Sequence, residues 1–181
     1  MTRQEITQFY GEHHRRLYNI AWRILQDSDD AEEVMQDTIL KFVSEERDFA
    51  SDAQVSAWLA RTCIRAAIDR LRKRHRRDDF LQEYAREVGP DSPVKPANYG
   101  YVEPANDENY VIPGEDPESP STIIRIRTAM DGLPDPYRLI LNLVLIEGLD
   151  YEEIAGLTGK KETTLRSLYS RGRAKLAELL K

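Results

Sequence analysis

Apolar residues in this chain recur three and four positions apart, the spacing that lines one face of an α-helix. Ile6, Phe9, Tyr10, Leu17, Ile20, Ala21, Ile24 and Leu25 predict a first helix over about residues 3–26. Gln26-Asp27-Ser28-Asp29 breaks it, with Ser28 or Asp29 expected to cap the next helix. That second helix carries Ala31, Val34, Met35, Thr38, Ile39, Phe42 and Val43 on one face. Asp30, Glu32 and Glu33 fall in its first turn, where negative charge suits the helix dipole. Residues 45–54 are polar and read as a loop. A third helix is expected from near Val55, through Trp58, Leu59, Cys63, Ala67 and Leu71, ending in Arg72-Lys73-Arg74-His75-Arg76-Arg77.

The apolar pattern lapses at residue 81 and resumes near 121. Ile123, Ile126, Ala129, Met130 and Leu133 mark a helix that Pro134 and Pro136 end. Tyr137 to Glu147 reads as a very apolar helix stopped at Gly148. No segment alternates in the manner of a strand, so the expected fold class is all-α. Residues 81–120 hold seven of the nine prolines, and no apolar period runs through them. They read as a flexible tether, because compact domains rarely contain so long a structureless stretch. The parse is two small helical domains, 1–80 and 121–181, joined by a Pro-rich acidic linker, 81–120.

Charge sharpens that division. The net charge is −6, yet the linker alone carries −7, against −1 for residues 1–80 and +2 for 121–181. Arg61 to Arg77 holds eight basic residues and a single acid, Asp69. Local clustering, not total charge, decides contact with nucleic acid. Two readings are open for the run: a solvated helix face, or a surface that neutralises phosphates. Phe49 and Trp58 lie just before it, suited either to core packing or to stacking on bases drawn out of a duplex.

The last forty residues carry the most informative pattern. Asp150-Tyr151-Glu152-Glu153 is a capping box opening a helix over 151–157. Thr158-Gly159 turns the chain, and a second helix is expected from about Glu162 to Leu180. Ile154, Ala155, Gly159, Leu165 and Leu168 have the spacing of a helix-turn-helix, with Ile154, Leu165 and Leu168 packing inward. Lys161, Glu162, Thr163, Arg166, Ser167 and Ser170 are left facing outward. Arginine can donate two hydrogen bonds to a guanine edge, and hydroxyls can contact either base type. Arg171, Arg173 and Lys175 suit phosphates. A solvated helical hairpin is the competing reading. Lys160 stands where such units usually place an apolar residue.

No group of His, Cys and carboxylates has metal-ligand spacing, and no phosphate-binding glycine loop occurs. Neither an enzyme, a metal nor a cofactor is expected. His13 and His14 are adjacent on a helix and point apart, His75 reads as solvated, and Cys63 reads as buried packing. No run approaches the roughly 18 apolar residues of a membrane span, and MTRQEITQFYGEHH has no signal-peptide stretch. A cytoplasmic protein without membrane insertion is expected.

These blocks, in this order, resemble a known family. Asp29-Asp30-Ala31-Glu32-Glu33-Val34-Met35-Gln36-Asp37 resembles the core of sigma region 2. Ala57-Trp58-Leu59 and Asp69-Arg70-Leu71-Arg72-Lys73-Arg74 resemble the end of that domain. Leu133-Pro134-Asp135-Pro136-Tyr137-Arg138 resembles the opening of sigma region 4, and Glu147-Gly148-Leu149-Asp150-Tyr151-Glu152-Glu153-Ile154-Ala155 its central block. The family is that of the extracytoplasmic-function sigma factors.

The resemblance implies a function. Region 2 would bind core RNA polymerase through Gln36, Asp37, Leu40 and Lys41 and open the −10 promoter element. Residues 47–54 would form the loop that captures a flipped base, with Phe49, Trp58, Arg61, Arg65, Arg72 and Arg74 contacting DNA. Region 4 would read the −35 element through Lys161, Thr163, Thr164, Arg166, Ser167, Ser170, Arg171 and Arg173. The acidic linker, with Glu103, Asp107, Glu108, Glu115 and Asp116, would thread toward the polymerase cleft, the competing reading being a plain acidic solubilising tether. Partners implied are core polymerase, promoter DNA and, since many members are held by one, an anti-sigma factor. Arg65 replaces a frequent Asn, and Leu168 a usual Arg, so promoter sequence does not carry over. A stand-alone helix-turn-helix regulator and a sigma mimic that titrates an anti-sigma factor are the alternatives.

Overall fold

The computed structural model describes residues 2–45, 47–88 and 120–181, with 80–88, 120 and 121 by backbone alone. The described residues form α-helices and no strand. Helix α1 (Arg3–Leu25) opens on a capping box absent from the sequence reading: the Thr2 amide donates to Glu5 Oε2 at 2.7 Å, and the Glu5 amide to the Thr2 hydroxyl at 3.3 Å. It closes on Gln26, whose left-handed backbone (φ 53°) reverses the chain at once. The break is therefore shorter than expected. Helix α2 (Ser28–Ser44) is capped by Asp27, not Ser28 or Asp29, the Asp27 carboxylate accepting from the Asp30 amide at 2.9 Å.

Helix α3 (Asp52–Val88) differs from expectation at both ends. It starts before Val55 because the Ser51 hydroxyl accepts from the Gln54 amide at 3.3 Å and so supplies the cap. It also continues through 81–88, where the linker was expected to begin. That octet, Leu-Gln-Glu-Tyr-Ala-Arg-Glu-Val, contains neither Gly nor Pro, and Pro90 is the first residue that cannot continue the ladder. The rest of the expected linker, with its five named acids, lies outside the described residues.

Helices α1, α2 and α3 pack around Leu17, Ile20, Leu25, Leu59 and Ile64, each at most 2% exposed. Cys63 is buried among them as expected, and its Sγ donates to the Leu17 carbonyl at 3.3 Å. Burial pushes its thiol up to about 12, too high to supply a reactive thiolate. Arg70 fastens α3 to the acidic start of α2, meeting Asp30 and Glu33 at 2.8 Å each. Those acids hold its guanidinium firmly charged.

The C-terminal unit is α4 (Pro120–Asp131), α5 (Asp135–Leu141), α6 (Tyr151–Thr158) and α7 (Glu162–Leu179). The single helix expected over 137–147 instead starts at Asp135 and widens after Leu141 into a π-helical turn, Asn142–Ile146. The turn begins at a residue that bonds across to α1. Asn142 is 4% exposed and its side-chain amide donates to the Arg23 carbonyl at 3.2 Å. The wider turn is closed by the Glu147 amide on the Asn142 carbonyl at 3.0 Å. Arg138 is also buried, donating to the Leu133 carbonyl at 2.9 Å and to Asp135.

The two units touch through polar pairs. Arg23 meets Glu147 at 3.4 Å, Gln26 meets Asp131 at 3.1 Å, and His75 Nε2 meets Asp135 at 2.7 Å. His75, expected to be solvated, thus takes a partner sixty residues away. Burial raises the carboxyls of Glu147 and Asp131. At Asp135 burial also acts upward, but Arg138 and His75 more than reverse it and hold that carboxyl below the usual range.

Candidate nucleic-acid interface

The helix-turn-helix forms as its sequence requires. The Asp150 carboxylate accepts from the Glu153 amide at 2.8 Å, and the Asp150 amide donates back to Glu153 at 3.2 Å. Gly159 closes α6 with φ 66°, a left-handed conformation that costs glycine nothing. The Thr158 hydroxyl donates to the Ile154 carbonyl at 2.7 Å and accepts from the Lys160 amide at 3.3 Å, which ties the turn down. Ile154 and Leu165, at 0% and 2% exposure, fix α7 against α6.

This packing turns a broad face of α7 outward. Lys161, Thr163, Thr164, Arg166, Ser170, Arg171 and Arg173 are exposed. Ser167, expected among them, is half-buried, and its hydroxyl accepts from Arg171 at 2.8 Å. Within that face Thr163, Arg166, Ser170 and Arg173 form a row at the spacing of successive helical turns, a donor set for base edges and phosphates. Two tyrosines stand beside it. The Arg166 guanidinium lies over the Tyr151 ring at 4.6 Å, and that of Arg173 over Tyr169 at 5.8 Å. The two rings meet edge to face at 6.2 Å.

Two of the three departures noted in the sequence, Leu168 and Lys160, now have a place. Leu168 turns inward and helps line an apolar cavity of about 20 Å³ with Leu139, Ile140, Leu143 and Ile154, so the missing arginine is exchanged for packing. Lys160 lines the same cavity while remaining exposed. Lys160→Ile should cover it with apolar surface and raise stability by about 0.5–1.5 kcal/mol. Chemical denaturation reads this directly, and an unchanged midpoint would contradict it.

The N-terminal unit brings Phe49 and Trp58 together, as the sequence left open, and adds Phe9 and Phe42. Phe42 is the hub, its ring centroid 4.3 Å from Phe9, 5.6 Å from Phe49 and 5.8 Å from Trp58. All four are half-buried, and Arg47 lies over Trp58 at 5.4 Å. The cluster is therefore both a wall of the core and an aromatic surface beside a basic helix.

The basic residues of α3 divide. Arg65 is exposed. Arg61 pairs with Glu153, and Arg72 donates to the Thr158 carbonyl, so both face the helix-turn-helix. Arg74, expected at DNA, is 14% exposed and donates to the Leu25 carbonyl at 3.0 Å, capping the end of α1. On α2, Gln36, Asp37, Leu40 and Lys41 share the exposed face, and Leu40 is 64% exposed. Among the described residues no His, Cys, Asp and Glu gather to hold a metal, and no helix is long and apolar enough to cross a membrane.

Comparison with known proteins agrees with this geometry. The family model described as Sigma-70 region 2 matches residues 9–77, and that of Sigma-70, region 4 matches residues 123–176. The chain is 29% identical over 178 residues to the ECF RNA polymerase sigma factor SigM of Mycobacterium tuberculosis, covering 98% of this chain and 78% of that protein. It is 30% identical to the ECF RNA polymerase sigma factor SigE of Mycolicibacterium smegmatis, covering 93% of this chain and 59% of that one. Its fold is similar to that of the sigma factor RpoE in complex with the anti-sigma factor NepR from Bartonella quintana, with a TM-score of 0.55, 24% identity, and coverage of 98% and 97%. With both sigma regions matched in their expected order, the chain belongs to the sigma-70 family of RNA polymerase sigma factors, in its extracytoplasmic-function group.

Proposed function

We propose that this chain divides promoter recognition between its two ends while core RNA polymerase carries it to DNA. The outward row of α7, centred on Arg166, reads the −35 element. The α3 face and the Phe49–Trp58 surface engage and open the −10 element. The α2 face with Gln36, Asp37, Leu40 and Lys41 meets the polymerase. The observation that carries this reading is the helix-turn-helix itself: a buried hinge of Ile154 and Leu165 that leaves base-reading donors exposed.

The physical work is electrostatic and aromatic. Arginines released onto phosphates displace counterions, which makes binding strongly salt-dependent. Extruding a base costs a few kcal/mol, roughly what one aromatic stacking contact with it returns. Arg61 and Arg72 are each held by a partner on α6, Glu153 and the Thr158 carbonyl, so phosphate that draws them away would loosen α6 from α3. The cytoplasm, where the polymerase works, is the proposed location. An anti-sigma factor is a proposed further partner, and Leu145 and Ile146, 54% and 48% exposed, offer it apolar surface.

The polymerase surface is tested by Leu40→Asp. Leu40 is exposed, so the fold should tolerate the change. Co-elution with purified core polymerase should weaken by about tenfold or more, consistent with a carboxylate desolvated at an interface, while Leu40→Met should bind normally. Unchanged binding of the aspartate variant would remove α2 from the polymerase contact.

A further inference from the structure

We infer that Tyr151 is a positioning residue for promoter reading: its ring holds the Arg166 guanidinium ready for DNA without consuming its N–H donors. The inference rests on α7 being the helix that reads the −35 element, as proposed above, and names a residue that this reading does not use.

Arg166 is the exposed cation at the centre of the α7 row, with its side chain 63% exposed. An arginine so placed samples many rotamers, and ordering it at the DNA diminishes affinity and sharpness of choice. Here its guanidinium carbon lies 4.6 Å from the Tyr151 ring centroid, on the ring face. Such a contact is made through the delocalised cation, and the peripheral N–H groups remain for a base edge. The ring is itself fixed. Tyr151 is the first residue of α6, directly after the Asp150 cap, and is half-buried with its face or edge closed by Tyr169 at 6.2 Å and 82°.

Glu162 completes the setting. It pairs with Arg166 at 3.4 Å, one turn earlier on α7. A carboxylate at that distance is repelled by approaching phosphates, so DNA takes over the N–H groups it occupies, whereas the neutral ring stays in place. Arg173 over Tyr169 repeats the arrangement one layer further along the helix. The two rings thus lie between two cations of the proposed DNA face, a pattern that simple core packing does not require.

The test uses the full-length chain with core polymerase on a promoter library randomised through the −35 region. Arg166→Ala first identifies the base whose choice Arg166 controls. At that base, Tyr151→Leu and Tyr151→Met should reduce preference roughly two- to fivefold, the range expected for loss of an exposed cation–π contact. Tyr151→Phe, which keeps the ring, should retain it, and Tyr151→Leu should add nothing on the Arg166→Ala background. In the free protein, the Arg166 side-chain protons should show upfield ring-current shifts in wild type and Tyr151→Phe, lost in Tyr151→Leu. These shifts in the wild type need no variant and stand even if a substitution unfolds α6. Absence of the shifts, unchanged preference in the Leu and Met variants, or an equal loss in Tyr151→Phe, which would assign the effect to the hydroxyl, overturns the inference. A wild-type chain that directs no promoter-specific initiation, with the shifts present, overturns the promoter reading beneath it instead.

Discussion

Leu141→Ala should destabilise the C-terminal unit by about 2–5 kcal/mol, the range for a fully buried leucine that leaves a cavity. Leu141 is 0% exposed and packs against α7 beside Gly172. That approach depends on Gly172: a Cβ there would sit 3.3 Å from the Tyr137 Cβ and 3.4 Å from Leu141, tighter than ordinary contact. With no room for even a Cβ between Gly172 and Tyr137, the helices have little space to close into the hole. For a unit of this size the loss corresponds to a fall in melting temperature of roughly 10 °C or more. Transcription should lose its dependence on the −35 element first, since α7 is held in place by α5, while binding of core polymerase through α2 survives. A melting temperature unchanged by more than roughly 2 °C would mean that the α5–α7 contact is not the clamp described here.

Trp58→Ala should separate two steps of initiation. Its ring is half-buried against Phe42 and Phe49, so some destabilisation is expected, on the order of 1–3 kcal/mol for partial loss of an aromatic contact. If the same surface receives an extruded base, open-complex formation should fall by about tenfold or more while binding to closed promoter changes little, because stacking of one base on an aromatic ring is worth about 1–3 kcal/mol. A promoter with a pre-melted −10 region should recover most of the deficit, and Trp58→Phe should be intermediate. Equal losses on duplex and pre-melted promoter, tracking the change in melting temperature, would make Trp58 a core residue alone. Potassium permanganate footprinting distinguishes the two.

What the sequence made legible follows from how local each device is. The Asp150 cap and its return bond span four residues, and Gly159 must be glycine or strained, so the helix-turn-helix could be read letter by letter. The inward set of Ile154 and Leu165 follows from helical period alone. Features that depend on distant neighbours were not legible. The π-helical turn begins at Asn142, whose side chain is bonded to the distant Arg23 carbonyl, and nothing in the run Tyr137–Glu147 announces either. Arg74 looked like one more cation in a basic run, yet the end of α1 claims it. His75 similarly finds Asp135 only after α3 and α5 are brought together. The extension of α3 to Val88 was present in composition, as eight residues without a helix breaker, but the acidic, proline-rich context beyond it suggested a linker too early.

The aromatic–arginine contacts lie between these extremes. Tyr151 and Arg166 stand fifteen positions apart, and only the turn at 159–161 sets α7 at the angle that brings them together. Their pairing illustrates a general consequence of a helix-turn-helix: the first helix offers side chains that can shape the reading helix without touching the bases themselves.

Mapping RNA 5′ ends made by purified core polymerase on genomic DNA, with and without this chain, tests the central claim most directly. New start sites should appear only with the chain, share spaced upstream elements, and lose the upstream one with Arg166→Ala. An identical set of start sites in both reactions, with the chain folded, would contradict the account.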